Sequence, residues 1–404
     1  MNPPTFPGTD PSSVRRRYGL ANDAPLLDFA ARVNPFGPPP GVAAAVAGAI
    51  GSIGERGSSG CPRLVARLAE HHGVDPRRVI VGAGTTELIG LVGQSLRDVL
   101  AFHAQALGDL TMPMAHLVDP SSPDFRRMAT RNELRAKVWP GHVLGWGQET
   151  LPGAGAAGIF CTGHPNNPTG RAWDRATLEA FAHGSQGLLT VVDESCLPFL
   201  ADEAERTLIP VAARRDNVLV LRSFSHFHAL PGLRVGYAIA SPDMITRLRQ
   251  FQDARTVTPL AEAAALAALE DRDYHRASVA LAASEPARLL DRLAAIPALQ
   301  PAWPAPVRPA EAPPVPPFLM VSLVQTDWTS TQVHEALARR RFLVRECSDF
   351  PGLEVGAFLT GPDQLVVTGG QLRINSRTPA ENDLLVAALT DILGQSPVDA
   401  PPAP

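Results

Sequence analysis

The segment 223–236 carries the side chains with the clearest chemical potential in this 404-residue chain. It follows the apolar run 217–221, which predicts a buried strand, and it contains a Pro-Gly turn. The hydroxyl groups of Ser223 and Ser225 and the guanidinium group of Arg234 lie within twelve residues of one another. These donors suit a phosphate dianion, so the sequence predicts an anion-binding site at the end of this strand.

A second anion-binding element is predicted where the short apolar run 78–81 leads into a glycine turn. Gly84, Thr85 and Thr86 stand in this turn, and the apolar residues that follow predict a helix. Glycine permits close approach of the backbone, and a helix N-terminus offers unpaired N–H groups and a positive dipole end. Such a turn is weak evidence when it occurs alone.

Two further polar residues follow apolar runs that predict parallel strands. Asn167 belongs to an Asn-Pro-Thr-Gly motif after the strand 158–161, and Asp193 closes the run 188–194. Ligands of doubly wound sheets bind outside the carboxyl ends of the strands, which favours a shared site for these residues. A buried aspartate could instead cap a helix or pair with an arginine.

Together these motifs resemble the fold-type I pyridoxal-phosphate enzymes, the aminotransferase superfamily, and within it the histidinol-phosphate aminotransferase and threonine-phosphate decarboxylase branch. That branch has a Ser-Phe-Ser/Thr-Lys segment followed by Ala-Leu-Pro-Gly-Leu-Arg-x-Gly, a Gly-x-Gly-x-Thr-Glu phosphate cup and the Asn-Pro-Thr-Gly loop. A segment similar to the Val-Arg-Asp-Cys-Ser segment of the decarboxylases begins at Val344. The resemblance covers about residues 26–394.

The resemblance implies an α/β fold with two domains and a homodimer. The large domain would have a mostly parallel seven-stranded sheet sandwiched by helices, and the smaller α+β domain would combine N- and C-terminal parts of the chain. We expect a flexible N-terminal arm at 1–25, the small domain at 26–50 and 265–404, and the large cofactor-binding domain at 51–264.

The resemblance also implies roles for individual residues. Asn167 would hold the phenolic oxygen of the cofactor and Asp193 its pyridinium nitrogen, which keeps the ring electron-withdrawing. The phosphate ligands would be Gly84, Thr85, Thr86, Ser223, Ser225 and Arg234, and the substrate ligands Asn34, Arg345 and Arg373. Asn34 could instead belong to a proline-fixed turn, and Arg373 could pair within the small domain.

The chain departs from the family pattern at its most important position. His226 stands where the family keeps the Schiff-base lysine, and the only lysine in the chain is Lys137. The aromatic residue that stacks on the pyridine ring is replaced by Ser122, unless Phe125 or a residue of the unusually long stretch 97–118 takes its place. The family's tyrosine after Asp193 is Cys196, and residues 56–62 contain no aromatic residue that a neighbouring subunit could lend.

Three hypotheses follow from this combination of retained and lost residues. In the first, the protein is an enzyme that binds pyridoxal or pyridoxamine phosphate non-covalently and uses His226 as a general base together with Asp193, because imidazole can accept a proton at neutral pH. In the second, it is a cofactor-free descendant, either a binding protein or an enzyme with a repurposed pocket. In the third, His226 and His228 bind a metal or haem, although His228 could simply replace a packing aromatic residue.

The bulk composition restricts the possible partners. A net charge of −4 and a pI near 6.3 give no basic surface for nucleic acid or anionic membranes, and no apolar run is long enough to span a bilayer. The four widely spaced cysteines and the absence of an apolar leader favour reduced thiols in a cytoplasmic protein. We expect a small-molecule substrate and no metal.

Overall fold

The computed structural model describes residues 11–55, 57–107, 114–140, 158–303, 317–351, 353, 356–359 and 365–397. Contacts divide the chain into two compact units. The first, here called the small unit, comprises Met1–Arg32, Pro168–Arg171 and Ala280–Pro404. The second, the large unit, comprises Val33–Asn167 and Ala172–Val279.

Helices and strands alternate along much of the chain. The helices of the described residues are α1 (Pro11–Arg17), α2 (Pro40–Ala49), α3 (Pro62–His72), α4 (Thr85–Leu107), α5 (Pro123–Arg131), α6 (Arg175–Gly184), α7 (Glu203–Arg206), α8 (Ile209–Ala212), α9 (Pro242–Phe251), α10 (Pro259–Glu270), α11 (Arg272–Ala294), α12 (Ser330–Arg339) and α13 (Pro379–Leu393). The strands are β1 (Leu27–Asp28), β2 (Val79–Gly82), β3 (Met114–Asp119), β4 (Arg135–Pro140), β5 (Gly158–Gly163), β6 (Leu188–Asp193), β7 (Val218–Ser223), β8 (Gly236–Ile239), β9 (Leu299–Trp303), β10 (Phe318–Leu323), β11 (Phe342–Leu343), β12 (Arg345–Glu346), β13 (Gly356–Leu359), β14 (Leu365–Thr368) and β15 (Gln371–Asn375).

The large unit contains a seven-stranded sheet in the order β2-β8-β7-β6-β5-β3-β4. Only β8 runs antiparallel to its neighbours, and the remaining pairs are parallel. This arrangement confirms the predicted mostly parallel, seven-stranded sheet. The apolar runs that predicted strands are buried on both faces, as expected for parallel strands covered by helices.

Two hydrophobic clusters in the large unit account for this burial. One cluster joins the strand residues of one face of the sheet to apolar residues of α3, α6 and α10. The other joins the strand residues of the opposite face to apolar residues of α4, α5 and α9. The side chains of successive strand residues point to opposite faces, so each strand contributes to both clusters. The sheet is thus fixed from both sides, and the ends of its strands are held at defined positions.

The register of the strands brings the candidate residues to one edge of the sheet. Gly82 pairs with Gly236, which pairs in turn with Ser223 on the next strand. Asp193 pairs with Leu221 on one side and with Gly163 on the other. The carboxyl ends of β2, β7, β6 and β5 therefore lie side by side, with the N-terminal end of the antiparallel β8 among them.

The small unit has a four-stranded antiparallel sheet in the order β12-β15-β10-β9. Its core includes apolar residues of β10, β15, α12 and α13 and of the C-terminal half of α11. Capping boxes at Thr329 and Thr378 begin α12 and α13. The α+β character of this unit agrees with the prediction for the second domain.

The boundaries of the units differ from the expected domain boundaries. Residues 33–50 and 265–279, which we expected in the small domain, belong to the large unit because α2 packs along α10 and Val42 joins the core of the large unit. Residues 11–17 of the expected arm form α1, in which Val14 is buried. In the described part of the chain, no helix has the length and hydrophobicity needed to cross a membrane.

Candidate functional site

Gly84 forms the centre of a tight turn between β2 and α4. Its φ of +84° lies in the left-handed region, and its N–H donates to the carbonyl oxygen of Gly82 at 2.7 Å. The carboxylate of Glu87, in the first turn of α4, accepts a hydrogen bond from the N–H of Ala83 at 2.6 Å. The helix begins at Thr85, so its N-terminal N–H groups and positive dipole end are presented at this turn.

The guanidinium group of Arg234 lies directly over Gly84. A Cβ atom added to Gly84 would come within 2.6 Å of Nη2 and 3.1 Å of Cζ of Arg234. Arg234 itself has a φ of +51° and follows a short 3-10 turn at Pro231–Leu233, which directs the chain back toward β8. Glycine at 84 therefore leaves room for a cation beside a helix N-terminus, and both elements favour an anion.

Ser223 completes this group from the neighbouring strand. Gly236 separates Ser223 from the Gly84 turn, and a Cβ on Gly236 would lie 3.2 Å from the Cα of Gly84. The hydroxyl oxygen of Ser223 accepts a hydrogen bond from the N–H of Ser225 at 3.0 Å. The hydroxyl hydrogen of Ser223 is then available to donate to an anion.

Asp193, at the end of β6, has an oriented carboxylate. Its Oδ1 accepts hydrogen bonds from the N–H of Ser195 at 3.0 Å and from the Ser195 hydroxyl. Its backbone carbonyl accepts the N–H of His164 at 2.8 Å. These contacts fix the carboxylate at the edge of the sheet that carries the phosphate-type elements.

Asn167 lies in the loop that follows β5. The neighbouring Asn166 donates from Nδ2 to the carbonyl oxygen of Pro120 at 2.8 Å, which ties the loop to the end of β3. A Cβ on Gly163 would come within 2.8 Å of the Cα of Asn166, so glycine is required where the loop folds back. Asn167 is 8% exposed and lies four residues beyond Gly163, which pairs with Asp193.

His226 lies three residues beyond the end of β7, and its backbone is held by Asn34 and α11. The carbonyl oxygen of His226 accepts the N–H of Asn34 at 3.0 Å, and that of Phe227 accepts Nδ2 of Asn34 at 3.0 Å. The hydroxyl of Tyr274 also contacts the Phe227 carbonyl, at 2.9 Å. The imidazole of His226 is half-buried.

The buried side chain of Asn34 therefore has structural partners. Besides Phe227, its Nδ2 donates to the hydroxyl of Ser278 at 2.7 Å, and its Oδ1 accepts the N–H of Phe36 at 3.1 Å. These contacts support the alternative of a turn residue more than the predicted substrate contact.

The structure bears on the expected roles of Thr86 as a phosphate ligand and of Phe125 as a stacking aromatic residue. The hydroxyl of Thr86 donates to Asp124 at 3.2 Å, and its side chain is exposed. Phe125 does not replace the expected stacking aromatic residue: it is buried in the core beside Leu88 and Met128, whereas Ser122 directly precedes α5. Most of the stretch 97–118 is ordinary secondary structure, since α4 extends to Leu107 and β3 begins at Met114, and residues 108–113 lie outside the described residues.

The single lysine does not belong to this site. Lys137 is on the edge strand β4, with Nζ 4.3 Å from the centre of the Trp139 ring. Four strand spacings separate β4 from β7, which is about 19 Å. No lysine can therefore substitute for the missing one beside His226.

The two predicted substrate arginines lie in the small unit. Arg345 donates from Nη2 to both carboxylate oxygens of Asp349, at 2.8 and 2.7 Å, and from Nη1 to the carbonyl oxygen of Glu346 at 2.5 Å. Arg373 is buried and donates from Nη2 to the carbonyl oxygen of Ala30 at 2.6 Å. Both therefore have partners within their own unit.

A buried ion-pair network that the sequence did not predict adjoins the site. Arg222 on β7 contacts Glu194 at 2.8 Å and Glu203 at 2.5 Å, and its Nη2 donates to Thr207 at 3.0 Å. Burial acts to lower the pKa of Arg222, but the two carboxylates outweigh it and raise that pKa. The sequence does carry one signal of this network: Arg222 is a charged residue at the end of a strand predicted to be buried, and a buried charge requires partners of opposite charge. Arg222 and Glu194 directly adjoin Ser223 and Asp193.

The second histidine of the pair, His228, lies among aromatic residues. His228 packs its ring against Phe224 at 5.0 Å and Phe227 at 5.1 Å, in agreement with its interpretation as a packing residue. Within the described ranges, no group of three or more His, Cys, Asp or Glu side chains could hold a metal ion. The metal hypothesis has no support from these residues.

The Gly84 turn can be tested with a matched pair of alanine substitutions. Gly84→Ala should lower the free energy of unfolding by about 1–2 kcal/mol, because alanine disfavours positive φ and its Cβ would displace Arg234. Gly90→Ala, within α4, meets no atom within 4 Å and should raise the free energy of unfolding by about 0.5–1 kcal/mol. Urea titration of both variants measures the difference, and equal effects would contradict this description of the turn.

Comparison with known proteins agrees with the fold and the motifs. The family model for aminotransferase class I and II matches residues 148–389, more than half of the chain. The chain is 28% identical over 391 residues to a threonine-phosphate decarboxylase of Salmonella typhimurium, covering 94% of this chain and 95% of the relative. It is 28% identical over 357 residues to a histidinol-phosphate aminotransferase of Methanothermobacter thermautotrophicus, covering 87% and 88%.

Solved structures show the same fold. An L-threonine-O-3-phosphate decarboxylase from Porphyromonas gingivalis superposes with a TM-score of 0.76 at 19% identity, covering 92% of this chain and 100% of that one. A histidinol-phosphate aminotransferase from Sinorhizobium meliloti, solved in complex with pyridoxal-5'-phosphate, gives a TM-score of 0.71 at 21% identity, with 96% of each chain covered. The chain belongs to the class I and II aminotransferase family.

Proposed function

We propose that this protein is an enzyme of small-molecule biosynthesis that binds pyridoxal 5'-phosphate or pyridoxamine 5'-phosphate non-covalently. Its substrate would resemble an amino acid and carry a carboxylate or phosphate group, and His226 would act as a general base. The observation that supports this most strongly is the contact of Arg234 with Gly84 at the N-terminus of α4, on the sheet edge that also carries Asp193.

The residues present fit the phosphate and the ring of such a cofactor. The Arg234 guanidinium, the Ser223 hydroxyl and the N–H groups at the start of α4 would bind the phosphate. Asp193, oriented by Ser195, would pair with the ring nitrogen, and Asn167 would contact the phenolic oxygen. When bound, the pyridine ring would withdraw electrons from the reacting carbon of the substrate.

The chain would contribute proton transfer through His226. A neutral imidazole can accept a proton from carbon. The Asn34 and Tyr274 contacts fix the backbone at 226–227, so the ring is presented from a rigid segment. A histidine cannot form the covalent link of a lysine, and Lys137 is too remote to do so.

The relatives suggest the class of substrate. Their names specify threonine phosphate and histidinol phosphate, which both combine an amine with a phosphate. A buried guanidinium group such as that of Arg373 can bind a carboxylate through two points, and we retain it as the proposed carboxylate ligand. Arg345 is the weaker candidate because its Nη2 already bonds Asp349 and its Nη1 the carbonyl oxygen of Glu346.

A cofactor-free descendant is the second candidate function. The lack of a residue to stack on a pyridine ring favours it. Ser122, at the expected position, is not aromatic and directly precedes α5, and the nearby Phe125 is in the core. Such a protein could still use the Gly84–Arg234 element to bind a phosphorylated or carboxylated molecule.

Titration with pyridoxal 5'-phosphate and with pyridoxamine 5'-phosphate separates the two candidates. The wild type should show a saturable shift of the absorption band, and Asp193→Ala should weaken affinity tenfold to a hundredfold, as expected for loss of a charged hydrogen bond of about 1.5–3 kcal/mol. The second variant, His226→Ala, should keep the affinity for the cofactor. In deuterated water it should no longer catalyse exchange of the Cα hydrogen of an amino acid that the wild type labels; O-phosphothreonine is the first amino acid to test. Asp243→Ala, exposed at the start of α9, is the control. An unchanged spectrum for the wild type would favour the cofactor-free descendant.

We further propose a homodimer that uses the surface around α2. Phe36, Ile50 and Ile53 are large apolar residues exposed near this helix, and Ile53 is 65% exposed. Exposed apolar clusters of this kind mark protein interfaces.

Sedimentation velocity tests this surface. The wild type should sediment as a dimer and Ile53→Asp as a monomer, because the substitution would bury a charge in the interface. Leu384→Asp is the matched control, since Leu384 is 54% exposed on α13 and should leave the dimer intact. A monomeric wild type, or dissociation by both substitutions, would contradict the proposal.

A further inference from the structure

His164, the first residue after β5, is completely buried and uses both of its ring nitrogens. Nδ1 accepts the backbone N–H of Trp173 at 3.1 Å, and Nε2 lies 3.2 Å from the carbonyl oxygen of Arg206. A backbone N–H can only donate and a carbonyl can only accept, so the ring must be the neutral tautomer with its proton on Nε2.

The backbone of His164 connects the two residues that would contact the cofactor ring. Its N–H donates to the carbonyl oxygen of Asp193 at 2.8 Å, and Asn167 follows three residues later in the same loop. The imidazole thus fixes a short segment whose one end is bonded to Asp193 and whose other end carries Asn167.

The partner of His164 is itself fixed. The indole of Trp173 is completely buried, and its Nε1 donates to the hydroxyl of Thr162 at 2.7 Å. Trp173 thus binds the end of β5 through its side chain and the His164 ring through its backbone. Burial lowers the pKa of His164 to about 4, so the ring remains neutral at pH 7 and keeps Nδ1 as an acceptor.

We propose that His164 is a positioning residue that holds the loop 163–167 so that Asn167 and Asp193 contact one bound pyridine ring together. This inference rests on the proposed function, because it assumes that a B6 phosphate binds. It adds a residue outside the motifs that carry the family resemblance, and this residue acts through Asn167 and Asp193 without touching the ligand.

Two substitutions separate the two ends of the imidazole. Asparagine can place an oxygen near the position of Nδ1 and keep the bond from Trp173, whereas glutamine can reach the Arg206 carbonyl but leaves the Trp173 N–H without its acceptor. A buried donor without a partner costs about 1–3 kcal/mol. We therefore expect His164→Gln to bind pyridoxal 5'-phosphate about tenfold or more weakly and His164→Asn to bind within about threefold of the wild type.

Hydrogen exchange of the Trp173 amide provides a readout that does not depend on activity. The amide should be protected in the wild type and in His164→Asn and should exchange faster in His164→Gln. In the wild type, pyridoxal 5'-phosphate should increase the protection of this amide. If the ordered loop raises the affinity for the ligand, the bound ligand must by linkage stabilise the ordered loop. His72→Asn removes another histidine of the large unit, bonded to Tyr237 at 2.7 Å, and should alter neither quantity.

The possible results are distinguishable. If His164→Gln exposes the Trp173 amide but binds as the wild type does, or if His72→Asn weakens binding equally, the positioning role is refuted while the proposed function stands. If His164→Gln does not fold, the wild-type amide decides: no gain of protection on binding refutes the positioning role. If the wild type does not bind pyridoxal 5'-phosphate, the proposed function fails and the positioning role fails with it.

Discussion

The contact between the Arg234 guanidinium and the Gly84 turn is the constraint on which the account of this site depends. Gly84 has a φ of +84°, which favours glycine, and a Cβ there would displace the guanidinium group that brings a positive charge to the N-terminus of α4. A guanidinium group and a helix N-terminus at one point favour an anion such as a phosphate group. The strand register then places Ser223 and Asp193 beside this point, because adjacent strands end at the same edge.

Much of this arrangement could be predicted from the sequence. The β-branched runs identified the central strands, and polar residues directly after them had to lie at one edge of a parallel sheet. The Asn-Pro-Thr-Gly loop and the Gly84 turn identified the family because their residues are dictated by backbone geometry, which the sequence records locally.

Contacts between distant segments could not be predicted in the same way. The partners of Arg222 come from the segment after β6 and from α7, and the partners of His164 come from residues 173 and 206. The residue type suggested a ligand contact for Phe125, but packing places it in the core. The family pattern suggested one for Asn34, whose structural partners favour the alternative of a turn residue. The domain boundaries differed for a related reason, since α2 and α10 carry many small residues whose packing leaves little periodic signal.

His226, at the position where the family resemblance predicts a Schiff-base lysine, is the feature that would separate this chain from the usual chemistry of its family. The surrounding structure retains the phosphate-type elements and the oriented carboxylate, and His226 occupies the segment that would carry the covalent link. The site would thus hold a cofactor by non-covalent contacts alone, without a covalent bond. The most direct measurement is to restore the lysine as His226→Lys and add pyridoxal 5'-phosphate. The expected result is a yellow one-to-one adduct that survives gel filtration and does not form in the double variant His226→Lys, Asp193→Ala. A colourless His226→Lys protein with no bound pyridoxal 5'-phosphate would contradict the proposed binding site.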